Sequence, residues 1–99
     1  MQKTYTAYGL PWCVQQLGSR AEYWFCPPPT TGAAAAAACD FELDRYMHLF
    51  ALNRGILMTP FHNMALLSPF HTKADVDFHT KVFAEACAAL TGKTPGAKL

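Results

Sequence analysis

The sequence predicts a two-layer α+β domain, an antiparallel sheet in the order β-β-α-β-β-α with its helices on one face. Three observations carry this. Two β-prone runs meet at Gly18-Ser19, two later segments show helical apolar spacing between capping residues, and 99 residues leave room for one core.

Gly9-Leu10-Pro11 breaks the opening segment, so residues 1–8 are expected to form a poorly defined start. Trp12 to Leu17 and Arg20 to Phe25 are the first two strands. Gly18 suits a two-residue II′ turn, whose first central position needs positive φ. In the second run Ala21, Tyr23 and Phe25 alternate with Arg20, Glu22 and Trp24, giving one buried face. Pro27-Pro28-Pro29 then takes the chain off the ladder, because proline lacks the N–H. The Ala33–Ala38 run reads as a loop with partial helical character, since so short a helix has little to pack.

Asp40 is the expected N-cap of the first long helix, with Glu42 and Asp44 near its first turn and Arg54-Gly55 closing it. Leu43, Tyr46, Met47, Phe50 and Ala51 make its apolar stripe. Two short strands follow, Ile56–Thr59 and Met64–Leu67, joined by a turn at 60–63. The second helix opens at Thr72, with Asp75 completing an acidic capping box, and stops at Thr91-Gly92. Its packed stripe is Val76, His79, Phe83, Ala86, Cys87 and Leu90, with Lys73, Asp77, Lys81 and Glu85 towards water. Lys93–Leu99 reads as a flexible tail.

A formal net charge of +1 gives no electrostatic footprint for nucleic acid or an anionic membrane. No apolar run reaches the roughly 20 residues of a membrane helix, and the N-terminus lacks a signal-peptide core. Cys13, Cys26, Cys39 and Cys87 are too scattered for a disulfide framework and are expected to be reduced, mostly buried thiols of a cytoplasmic protein. His48, His62, His71 and His79 have no ligand spacing, so no metal site is expected. No P-loop, dinucleotide fingerprint or nucleophile elbow appears.

The segment Leu52-Asn53-Arg54-Gly55-Ile56-Leu57-Met58-Thr59-Pro60-Phe61-His62-Asn63-Met64, then Ser68-Pro69 and Thr72-Lys73-Ala74-Asp75-Val76-Asp77, resembles the C-terminal small domain of class III pyridoxal-phosphate (PLP) aminotransferases. It is most similar to the glutamate-1-semialdehyde aminomutase and β-amino-acid aminotransferase branch. Gly9-Leu10-Pro11-Trp12, Leu17–Tyr23 and Leu43-Asp44 extend the resemblance over about Gly9 to Leu90, which makes 9–92 the small domain.

The resemblance implies a fold-type I enzyme whose Schiff-base lysine, pyridine partner and most phosphate contacts lie in a preceding large domain. No catalytic role is carried to Lys3, Lys73, Lys81, Lys93 or Lys98, and PLP, the parent enzyme's cofactor, is not expected to bind this chain alone. The implied partners are that large domain and, in the parent enzyme, a second copy. Such small domains help to shape the substrate pocket. Arg54 and then Arg20 are candidates for a substrate carboxylate, which a guanidinium fork grips bidentately, with His62 and Asn63 on a pocket rim. Each has a plain alternative: a cation at a helix C-terminus for Arg54, a solvent-facing strand charge for Arg20, a hairpin turn for 60–63. Trp12, Trp24 and Phe61 read as core or domain-interface residues. The rival to an enzyme fragment is a free-standing α+β binding or dimerisation module without catalysis.

Overall fold

The structure, a computed structural model, describes residues 1–59 and 62–92. The expected tail and the Pro60-Phe61 part of the expected turn lie outside the described residues. In chain order the elements are α1 (Gln2–Ala7), β1 (Cys13–Leu17), β2 (Arg20–Trp24), α2 (Gly32–Ala37), α3 (Phe41–Leu52), β3 (Met64–Leu66) and α4 (Lys73–Thr91).

The glycine between the β-prone runs makes a two-residue hairpin. Leu17 stands opposite Arg20 and Val14 opposite Tyr23, with Gly18 at φ +58°. On the far edge of β2, β3 pairs antiparallel, Ala21 opposite Ala65, for an order β1-β2-β3. The α+β class holds, but among the described residues the sheet has three strands where the sequence suggests four. Ile56–Thr59 has the alternation of a strand, with Leu57 82% exposed and Met58 8%, yet its backbone groups are engaged elsewhere. The Ile56 N–H donates to the Ala51 carbonyl at 2.9 Å, and the Thr59 carbonyl accepts from the His48 ring at 3.1 Å.

Both long helices are capped as the sequence indicates. The Asp40 carboxylate accepts from the Leu43 N–H at 3.0 Å. At α4 the Thr72 hydroxyl and the Asp75 carboxylate close a reciprocal capping box, and Gly92 ends the helix in the left-handed region. However, α3 stops with Asn53 as its C-cap, so Arg54 stands just past the helix and Gly55, at φ +91°, turns the chain afterwards. The alanine run forms α2, capped by Thr31, with no residue buried. High propensity makes the helix, and small side chains leave it unpacked.

Residues 1–8, expected to lack defined structure, contain α1. Its Tyr5 and the adjacent Tyr8 enter the core, 7% and 3% exposed. There they meet Met47 and Ala51 of α3, Tyr23 of β2, and Val82, Phe83, Ala86, Cys87 and Ala88 of α4. Because α1 and α3 both pack on α4, that part of α4 is buried on more than the expected stripe. Trp12 stacks on Tyr23 at 6.0 Å, and Phe83 meets Tyr23 edge-on at 5.2 Å. The Tyr46 hydroxyl donates to the Ala86 carbonyl at 2.7 Å, tying α3 to α4. The cysteines are all free, but only Cys13 and Cys87 are buried; Cys26 is half-buried and Cys39 exposed. Burial pushes the Cys87 thiol up to about 12, which makes it an inert part of the core.

Candidate functional site

A cleft of about 510 Å3 lies between the β2–β3 side of the sheet, the segment 55–59 and the first turns of α4. Its apolar wall includes Leu57, Leu66, Leu67, Val76 and Phe78, each more than 40% exposed. Its polar groups include Arg20, His71, Asp75, His79 and Thr80. Two of these are committed locally. His71 Nδ1 accepts from the Ser68 N–H at 2.8 Å, and Asp75 accepts from the Thr72 N–H at 2.8 Å. That hydrogen bond from Thr72 is the main cause holding the Asp75 carboxyl below the usual carboxylate range. His79 stacks on Phe83 at 6.2 Å, and burial lowers its pKa.

The four sequence-predicted residues are not gathered at one point. Arg20 lines the cleft, with no acidic group within ion-pair distance among the described residues. Arg54 is held outside it: the guanidinium lies over the Phe50 ring at 3.5 Å, donates to the Phe50 carbonyl at 3.2 Å and faces Glu85 at 3.5 Å. His62 faces the Glu22 carboxylate at 3.4 Å. Asn63 is built into the sheet, its carbonyl accepting from the Tyr23 N–H at 3.1 Å. Its side-chain oxygen is buried without a partner, as is one oxygen of Asp44.

His48 is the residue that sequence reasoning missed, having weighed it only as a metal ligand. It is half-buried. Nδ1 contacts the Asp44 carbonyl at 2.8 Å; Nε2 contacts those of Thr59 at 3.1 Å and His62 at 2.8 Å. The i, i+4 spacing from Asp44 was visible, but the two loop carbonyls come from residues 11 and 14 positions later.

Among the described residues no group of three or more His, Cys, Asp or Glu could hold a metal. Lys3, Lys73 and Lys81 are exposed. Lys73 is hydrogen-bonded to Asp77 at 2.8 Å, chiefly for which its pKa is raised. An amine that attacks an aldehyde needs the opposite, a lowered pKa in a desolvated site. The described lysines therefore do not fit a PLP site.

No protein-family profile matches the chain, and no curated protein does. Solved structures do. A glutamate-1-semialdehyde aminomutase from Pseudomonas aeruginosa PAO1 is 39% identical, with a TM-score of 0.85 over 88% of this chain. Over that stretch the chain is similar to a small part of this class III PLP enzyme. A lysine-to-alanine variant of the same aminomutase, solved in complex with PMP, matches with the same identity and TM-score. The chain spans only 19% of the length of these enzymes and corresponds to a small domain within them.

Proposed function

We propose that this chain is the C-terminal small domain of a PLP-dependent aminomutase or aminotransferase acting on amino acids, and that it shapes the substrate pocket and the domain interface without catalysing alone. The observation that carries the reading is the 39% identity over 88% of the chain to a piece of such an enzyme.

The small domain is 9–92, and the preceding segment packs onto its core through Tyr5 and Tyr8. Its partner is the large PLP-binding domain, in a parent enzyme that is a cytoplasmic homodimer; no helix of the described residues is long and apolar enough to cross a membrane. Of the candidate substrate residues, Arg20 is the best placed, being in the cleft and without an acidic partner. Arg54 would have to leave Phe50 and Glu85 to reach a carboxylate, and His62 and Asn63 are engaged with Glu22 and the Tyr23 N–H.

The test mixes the 99-residue chain with PLP and an amino acid, then reduces with borohydride. The reading predicts no amino transfer and no pyridoxyl group fixed at one specific lysine. In the polypeptide that carries the chain natively, it predicts both, and a raised KM for Arg20→Ala with little change in kcat. Stoichiometric labelling of one lysine in the chain alone, with turnover, would overturn it.

A further inference from the structure

The surroundings of His48 constrain its protonation. A backbone carbonyl can only accept, so each ring nitrogen that meets one must carry a hydrogen. Nδ1 meets the Asp44 carbonyl at 2.8 Å, and Nε2 is shared between Thr59 at 3.1 Å and His62 at 2.8 Å. A neutral imidazole has one N–H and would turn a lone pair on either the helix carbonyl or the two loop carbonyls. Only the imidazolium satisfies all three.

We propose that His48 is an imidazolium clip, a positioning residue that ties α3 to both ends of the 59–62 segment and thereby delivers the chain to β3. Ile56–Thr59 has no ladder partner, and the sheet pairing of β2 resumes only at Asn63, whose carbonyl meets the Tyr23 N–H. Thr59 and His62 also share a long bond, His62 N–H to the Thr59 carbonyl at 3.4 Å.

The charges around the ring favour this state. Burial on its own would lower the pKa of His48, but the three carbonyls and the negative charge of Asp44 outweigh it, and the net shift is upward from 6.5. From the loop, the His62 ring is turned to Glu22 of β2 at 3.4 Å. Tyr23 of β2 is pushed upward mainly by burial and is an uncharged neighbour of Asp44. With the folded pKa raised, the clip is complete below about 6.5 and is lost as pH rises through the folded value.

The clip stands on this geometry; only its service to a pocket rim rests on the fragment reading above. His79 titrates in the opposite sense, its pKa being lowered by burial, so a global melting curve mixes the two. The ring itself must be read. Imidazole nitrogen NMR of the 99-residue chain should find both His48 nitrogens protonated at pH 6.5, a midpoint shifted above that, and faster amide exchange at His62 once the ring is neutral. The variant H48Q, neutral at every pH, should lose that pH dependence while keeping the folded spectrum elsewhere. A single-tautomer ring at pH 6.5, or an exchange profile that H48Q leaves unchanged, overturns the clip. If the variant does not fold, the wild-type ring signals decide. A parent protein unrelated to aminomutases would remove the pocket rim and leave these signals untouched.

Discussion

The two halves of α4 carry the same kind of apolar stripe and meet opposite fates. In the C-terminal half, Val82, Phe83, Ala86, Cys87 and Ala88 are at most 4% exposed, covered by α1, α3 and the sheet. In the N-terminal half, Val76 and Phe78 are 42% and 43% exposed and face an open cleft beside Leu57 and Leu66. Contiguous exposed apolar surface of this kind marks a surface made to be covered. Periodicity encodes an apolar face, and a second body must be found to say what covers it. For the upper half that body is in the chain; for the lower half we assign it to the rest of the parent enzyme.

Substitutions can break this contrast. Phe83→Ala removes the ring that meets Tyr23 and Trp12 in the buried half, and should cost about 3–5 kcal/mol in urea unfolding. Thr72→Ala deletes the hydroxyl half of the capping box, leaving the backbone Thr72 N–H on Asp75, and should cost about 1 kcal/mol, with fraying confined to the exposed half in hydrogen exchange. Tyr46→Phe leaves the Ala86 carbonyl short of a donor, about 1 kcal/mol by the same unfolding measurement. Smallest of all, Val76→Ser should change the chain's own stability by no more than about 0.5 kcal/mol. The same change should loosen the small domain in the parent enzyme, read as faster limited proteolysis there. A large loss of stability in the isolated chain would mean that the lower half is already covered.

Much of the fold was legible because its signals are local. Gly18-Ser19, Asp40, the Thr72–Asp75 box and Gly92 each act within a few residues, and each sits where the sequence puts it. The misses are non-local. Ile56–Thr59 alternates like a strand, yet a strand exists only if another ladder accepts it, and His48 takes its last carbonyl instead. Residues 1–8 lack any helix signal beyond Tyr5 and Tyr8 three apart, and their order comes from packing on α4. The candidate site was legible only in part. Arg54 looks like a free cation in sequence, and only the fold brings Phe50 and Glu85 against it. His48 looks unremarkable because two of its three carbonyls arrive from a later loop.

The central claim is that this chain is one domain of a larger enzyme. The most direct measurement is the size of the native polypeptide, by probing a lysate of the source cells with an antibody raised against the 99 residues. The account predicts a band several times larger than 10.9 kDa, since the chain spans 19% of the aminomutases it matches. A sole band at 10.9 kDa would contradict it and leave a free-standing module with an uncovered cleft.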